Sequence, residues 1–355
     1  MKKVLLFSLL FFLGINTTSA STNTAHSYVL MDMDTGRVIE SKNQDTPMLI
    51  ASITKIMTCI IAIEQGNLEE IINVDASISK SYGSGIYISI GEKITLKDLL
   101  YGLMLRSGND AAIMISTHIA GSEEEFTKLM NKKAKELGMK NTVFYNSSGL
   151  DNNTRGNLST AYDMALLTKY AMQNATYREI VKTKKYIAKT DLKTYVWHNK
   201  NKLLNYDYIT GGKTGYTEKA KRTLVTTASK NNIDLIAVTI KDSDDWNTHK
   251  SLYEKVFNNY FNIKVLNKNK FKIEQDNYYD YLYIKENIYL TLKQEEKYDL
   301  VNHIKLEKKE QFKDDEQVGT SYIYLNDTLV KKVPIYAKNK KIKLTLFDKL
   351  RSWFK

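Results

Sequence analysis

The 355-residue chain has room for one large and one smaller domain, and its 43% hydrophobic and 26% charged residues exclude wholesale disorder and a multi-span membrane protein. A single cysteine, Cys59, excludes an internal disulfide, so stability rests on the core. The formal charge of +12, or +10 without Lys2 and Lys3, suits a surface near anionic polymers or lipids.

The first 20 residues, "MKKVLLFSLLFFLGINTTSA", join two lysines to a short apolar run and then to small residues. This is the anatomy of a secretory signal peptide cleaved after Ala20; an uncleaved anchor helix is the alternative, but the apolar run falls short of the roughly 20 residues of a bilayer span. Export argues against nucleic acid as a partner. "SYVLMDMDTGRVIES" alternates on both sides of Asp34-Thr35-Gly36 and predicts a β-hairpin. Over residues 52–64, Ile56, Cys59, Ile60 and Ile63 recur at helical spacing, with Ser52 capping or starting the helix. Two further helices are broken at Ser107-Gly108-Asn109, and "SEEEFTKLMNKKAKELG" and "STAYDMALLTKYAMQN" predict two more. "ITGGKTGYT", "RTLVTTASK" and "IDLIAVTIK" read as strands, with a turn at Lys230-Asn231-Asn232, followed by the helix "HKSLYEKVFNNYF". Strands at both ends of this unit predict a mixed α/β layer structure whose sheet joins its N- and C-terminal segments. Beyond residue 262 short alternating runs predict a small all-β domain over 263–338. Residues 339–355 end in Leu346, Phe347, Leu350, Trp353 and Phe354 on one helical face, opposed by basic residues. This predicts a membrane-surface helix, with packing on the protein as the alternative.

Ser52 and Lys55, i and i+3, share a helix face with about 5–6 Å between Cβ atoms, so the lysine can reach the hydroxyl. Serine needs an adjacent base, and a lysine serves when burial disfavours its charged form. A capping serine beside a lysine that snorkels to solvent would have the same spacing. Ser107-Gly108-Asn109 places a hydroxyl and an amide in a tight turn, able to relay a proton and hold an amide, although an ordinary turn would read the same. Lys213-Thr214-Gly215 places a cation and a hydroxyl on a strand whose glycine lets another backbone lie alongside, which fits a peptide ending in a carboxylate.

S-x-x-K, S-x-N and K-T-G in this order resemble the signature of penicillin-binding proteins and class A β-lactamases. The flanks "ASITKIMT", "GEKITLKDLLYGLMLRSGNDAA", "NSSGLDNN", "HNKNKLL" and "GGKTGYTEKA" are similar to the low-molecular-mass penicillin-binding proteins that are serine D-alanyl-D-alanine carboxypeptidases. The likeness runs from about residue 28 to 261 and continues more faintly through the β domain. It implies an α+β, β-lactamase/transpeptidase-like catalytic domain over 21–262, with an antiparallel sheet between helical layers. It further implies Ser52 as nucleophile, Lys55 as its base and Ser107 as proton relay. Asn109 would bond the acyl-side amide, Lys213 and Thr214 of the Lys213-Thr214-Gly215 strand would hold the terminal carboxylate, and the N–H groups of Ser52 and Tyr216 would form the oxyanion hole. The substrates implied are peptidoglycan stem peptides, with β-lactams as covalent inhibitors of Ser52; no cofactor or metal is implied. Members often carry Gly where Lys221 stands and a histidine near Asn157. A basic residue late in the catalytic domain often joins in carboxylate binding, but "KDSDDWNTHKSLYEK" offers no secure match.

Among competing readings, a class A β-lactamase needs a deacylating glutamate between the second and third motifs. Glu123, Glu124, Glu125, Glu136 and Glu179 fall there, none in E-x-x-x-N, and the first four read as a solvated helix face. A silent wall-binding or lactam-sensing protein would not need all six motif side chains. A D,D-endopeptidase is chemically closer and separable only by substrate. The five histidines are scattered without HExxH, and Cys59 reads as a core residue rather than a nucleophile. The expectation is an exported D-alanyl-D-alanine carboxypeptidase at the outer face of the cytoplasmic membrane or in the wall, held by its C-terminal helix.

Overall fold

The computed structural model describes residues 23–151, 155–273, 278–309 and 311–338; the expected leader at 1–20 and the expected basic helix at 339–355 lie outside the described residues. The chain opens with the expected hairpin, β1 (Ser27–Asp32) and β2 (Val38–Lys42). β3 (Met48–Leu49) leads into a 3₁₀ turn, Ala51–Thr54, and then α1 (Lys55–Gln65). β4 (Ile71–Asn73) and β5 (Lys93–Thr95) pair ahead of α2 (Leu96–Tyr101), which widens into a π turn over Gly102–Arg106. There follow α3 (Asn109–Ala120), α4 (Glu123–Glu136), β6 (Leu158–Ser159), α5 (Ala161–Ala171) and α6 (Ala175–Lys182). A second hairpin, β7 (Lys185–Lys189) and β8 (Thr194–His198), precedes β9 (Ile209–Thr217), β10 (Lys221–Lys230), β11 (Ile233–Ile240) and α7 (Asp245–Asn259).

One antiparallel sheet organises this unit, in the order β2-β1-β11-β10-β9, so the N-terminal hairpin is stitched to the last strand before α7, Ser27 opposite Ile240. Successive side chains alternate between two cores. Val29, Met31, Val225, Ile236 and Val238 face the helices around α1, while Tyr28, Leu30, Leu224, Leu235 and Ala237 face α7. With both faces covered, the central strands carry near-continuous apolar runs. α1 is buried on all sides from Lys55 to Ala62, which is why its apolar stripe reads as a full cylinder.

β12 (Phe261–Leu266) opens the second unit, which continues through β13 (Tyr281–Tyr283), β14 (Ile288–Leu292), β15 (Leu300–Leu306), β16 (Glu316–Leu325) and β17 (Thr328–Lys338). β12 pairs with β14, and the others form a sheet in the order β13-β17-β16-β15 over Ile288, Leu290, Ile323, Val333 and Ile335. The unit is tied to the β1–β2 hairpin: Thr291 Oγ1 donates to Asp32 Oδ2 at 2.6 Å, Lys331 pairs with Asp34 at 2.7 Å, and Arg37 pairs with Glu296.

Two local expectations change. Ser52 does not cap α1; it lies within the 3₁₀ turn, and the first helical residue is Lys55. Glu123 is not part of a solvated face, because its Oε1 accepts from both the N–H (3.0 Å) and the Oγ (2.7 Å) of Ser147. Lys221, where the family resemblance leads one to expect Gly, holds φ +59, a left-handed conformation that a Cβ makes costly. Asn231 and Asn232, at φ +56 and +59, form the tight turn expected between β10 and β11.

Candidate active site

The site forms where α1, the π turn before α3 and strand β9 converge. Two glycines permit the approach. A Cβ on Gly149, at φ +82, would lie 1.9 Å from the carbonyl oxygen of Ala51, itself at φ +48. A Cβ on Gly215 would meet Thr223 Oγ1 at 2.3 Å and the Ser52 nitrogen at 3.0 Å. The missing side chain of Gly215 therefore seats β9 against the Ser52 turn, a backbone of the protein itself.

Lys55 is fully buried, and its Nζ has three partners: Ser52 Oγ at 3.1 Å, Asn109 Oδ1 at 2.7 Å and the Ser148 carbonyl at 2.5 Å. The Asn109 orientation follows from its other end, where Nδ2 donates to the Tyr82 carbonyl at 2.6 Å. Asn109 Oδ1 and the Ser148 carbonyl can only accept, so a neutral Lys55 gives them its two N–H groups and turns its lone pair to the Ser52 hydroxyl. Burial, reinforced by the charge of Lys200, lowers the Lys55 pKa to about 7, so the neutral form is available.

The loop behind Lys55 explains the first half of the flank "NSSGLDNN", Asn146-Ser147-Ser148-Gly149. Asn146 Oδ1 accepts from the N–H of Gly149 at 2.6 Å and of Ser148 at 3.2 Å, and the Ser147 carbonyl accepts from Thr58 Oγ1 at 2.6 Å. Asn157, buried, accepts the N–H of Tyr145 at 2.7 Å and donates to Thr54 Oγ1 at 3.0 Å and the Asn146 carbonyl at 2.9 Å. That hub aims the Ser148 carbonyl at Lys55.

Ser107, at φ +63, ends the π turn, and its Oγ accepts from Lys213 Nζ at 3.0 Å. Lys213 also donates to the Thr214 carbonyl at 2.6 Å, and burial, with Lys55 and Lys200 adding to it, lowers its pKa well below the usual lysine range. Asn109 and Lys213 are thus turned inward, while Ser52, Ser107, Thr214, Gly215 and Tyr216 line a cavity of about 430 Å³. The structure thus brings the side chains of all three motifs together.

Besides these and Tyr216, the same cavity is lined by five further residues: Ser84, Lys200, Arg222, Asp245 and Trp246. Lys200 donates to Ser84 Oγ at 3.1 Å. The Arg222 guanidinium forms an ion pair with Asp245 and lies 5.3 Å from the Trp246 ring centroid. Burial pushes the Asp245 carboxyl above its usual range, with Arg222 acting against it. The segment "KDSDDWNTHKSLYEK" thus supplies the counter-charge of a basic residue on β10. Its His249 is core: buried between Thr226 and Thr239, with burial lowering its pKa to about 3. Cys59 is likewise buried, and burial raises its thiol pKa.

Comparison with known proteins agrees with this geometry. The family model described as D-alanyl-D-alanine carboxypeptidase matches residues 15–244, and that of the penicillin-binding protein 5 C-terminal domain matches 262–342. The D-alanyl-D-alanine carboxypeptidase DacF of Bacillus subtilis is 39% identical over 228 residues, covering 62% of this chain and 58% of DacF. The corresponding enzyme DacC of Escherichia coli is 33% identical over 256 residues, covering 68% of this chain and 62% of DacC. The chain therefore spans about three-fifths of the length of these two relatives. Penicillin-binding protein 5 from Haemophilus influenzae superimposes with a TM-score of 0.74 at 26% identity, covering 89% of this chain and 97% of that one. With both halves matched in order and the three motifs gathered around one cavity, the chain belongs to the D-alanyl-D-alanine carboxypeptidase family of low-molecular-mass penicillin-binding proteins.

Proposed function

We propose that the protein is a serine-type D-alanyl-D-alanine carboxypeptidase that removes the terminal D-alanine from peptidoglycan pentapeptide stems through an acyl-enzyme on Ser52. The observation that carries this reading is the Ser52–Lys55 contact, in which a buried lysine has two acceptor-only partners and one hydroxyl. Lys55 takes the Ser52 proton as Oγ attacks the carbonyl between the two D-alanines. The N–H groups of Ser52 and Tyr216 receive the developing oxyanion. Ser107, held by Lys213, passes a proton to the nitrogen of the departing D-alanine as the C–N bond breaks and is replenished by the proton taken from Ser52, so Lys55 returns to its neutral form. Water then hydrolyses the ester, giving one proton back to Ser52 Oγ. Thr214 meets the substrate carboxylate, with Lys200 and Arg222 supplying positive charge at the same cavity. β-Lactams acylate Ser52 by the same route. No feature of the cavity favours the endopeptidase or the silent reading.

The test is release of free D-alanine from a pentapeptide ending in D-Ala-D-Ala by the wild type and by Ser52→Ala. Release by the wild type alone is expected; equal release by both refutes the mechanism. The same proposal places the protein outside the cytoplasmic membrane, supported by the leader-like residues 1–20, and holds it there through the basic amphipathic sequence at 339–355. Deleting residues 346–355 should release it from membranes, and a truncated protein that still sediments with them sinks the anchor.

A further inference from the structure

The β7–β8 hairpin stands beside the active-site cavity with one face buried and one face bare. Ala188, Tyr195 and Trp197 point inward, and Tyr186 stacks on Tyr101 with ring centroids 3.6 Å apart. On the outer face Ile187 pairs across the strands with Val196, 53% and 51% exposed, between the pairs Lys185–His198 and Lys189–Thr194. Leu192, in the connecting turn, is 59% exposed.

The charge of this region is one-sided. Residues 178–202 carry eight lysines and arginines against Glu179 and Asp191, a net +6 within a chain of +12. Both acids are engaged elsewhere: Glu179 accepts from the Tyr101 hydroxyl at 3.0 Å and Asp191 from the Lys93 N–H at 2.9 Å. Lys193 lies 3.8 Å from buried Glu92, but Lys182, Lys184, Lys185 and Lys189 form no ion pair among the described residues. The strip reaches the cavity itself: Arg106 donates to the His198 carbonyl at 3.4 Å, and Lys200, two residues on, lines the cavity that holds Ser52.

We infer that the outer face of this hairpin docks the polymer to which the substrate stem belongs, an uncross-linked peptidoglycan strand whose other stems each end in a carboxylate. The inference rests on the carboxypeptidase reading. A stem inserted at Ser52 is followed by the rest of its strand, and a cationic strip with an apolar centre adjoins that cavity at Lys200. Repeated carboxylates match the unpaired lysines, and alanyl methyl groups and sugar faces match Ile187 and Val196. An anionic lipid surface is the rival occupant, but it has no reason to lie at the cavity mouth.

The full-length protein tests this with K185E/K189E and I187S/V196S, all at exposed positions, with acylation by benzylpenicillin as the check that the fold is intact. K185E/K189E is expected to lower kcat/KM on uncross-linked polymer about tenfold while pentapeptide turnover stays within about twofold, and high salt should remove the same advantage from the wild type. I187S/V196S is expected to weaken polymer turnover in the same direction without changing its salt dependence. An unchanged ratio of polymer to pentapeptide turnover in K185E/K189E overturns the inference. So does loss of binding to phosphatidylglycerol vesicles with polymer turnover intact. If neither substrate releases D-alanine, the carboxypeptidase reading fails separately, and co-sedimentation with purified polymer still decides: loss in K185E/K189E supports docking, and equal sedimentation refutes it.

Discussion

Lys55 Nζ lies 3.1 Å from Ser52 Oγ, while its other two partners, Asn109 Oδ1 and the Ser148 carbonyl, can accept hydrogen bonds but never donate them. This makes the neutral amine a directed base and the ammonium an inert one, since all three protons of the charged form would be spoken for. With the Lys55 pKa lowered to about 7, its neutral fraction rises tenfold per pH unit below that value and saturates above it. Acylation of Ser52 by a fluorescent penicillin should follow the same curve, and a rate that falls as pH rises towards 7 would contradict the assignment. Lys55→Gln is an uncharged donor with no basic lone pair, so it should acylate about 10²- to 10⁴-fold more slowly with the inflection lost.

Gly149 supports that geometry from behind. At φ +82, and with a virtual Cβ 1.9 Å from the Ala51 carbonyl, it has no room for a side chain. Gly149→Ala should cost at least about 2 kcal/mol of stability, read as a lower denaturant midpoint, because backbone strain and a backbone clash act together. Acylation should fall more than pentapeptide binding, since the displaced groups are the Ser52 turn and the Ser148 carbonyl rather than Thr214.

Much of this site was legible because its three motifs, in order, resemble a known signature that names side chains. Ser52 and Lys55 sit one turn apart, and Ser107 and Lys213, though 106 residues apart, meet at 3.0 Å. What escaped the sequence is of another kind. The Ser148 carbonyl is a group every residue carries, so only its aim, set by Asn146, Asn157 and Gly149, distinguishes it. The inward turn of Asn109 depends on the Tyr82 carbonyl in an irregular segment. Arg222 and Asp245 belong to a strand and a helix 23 residues apart, and neither falls in a motif. The β7–β8 hairpin was missed for a simpler reason: "KYIAK" and "TYVWH" alternate in burial but not in hydropathy, because the exposed Ile187 and Val196 stand where polar residues would mark the period. The 3₁₀ turn at Ser52 reflects the sharp entry forced by Ala51 at φ +48, which helical periodicity does not encode.

Lys221 occupies a glycine conformation without being glycine. At φ +59 it opens β10, directly opposite Thr217 at the end of β9. Lys221→Gly should raise stability by about 0.5–1 kcal/mol, the relief of left-handed strain less the added freedom of the unfolded chain. A denaturant midpoint that falls instead would show that the Lys221 side chain contributes more than its backbone costs.

The Arg222–Asp245 pair gives the sharpest separation of binding from chemistry. Arg222 is the partly exposed member and lines the cavity with Thr214, while Asp245 is buried behind it with a side chain only 3% exposed. Removing Arg222 alone would strand a buried carboxylate, so Arg222→Gln should lose stability as well as function, by about 3 kcal/mol for an uncompensated buried charge. R222Q/D245N removes both charges, should recover most of that stability, and isolates the functional effect. In the double variant KM for a peptide ending in a free carboxylate should rise about tenfold, the loss of one charge-assisted contact, with kcat little changed because Ser52 and Lys55 are untouched. A substrate with its terminal carboxylate amidated should discriminate less between wild type and double variant. If KM is unchanged while kcat falls, Arg222 acts on the reacting atoms instead, and Lys200 becomes the cation that meets the carboxylate.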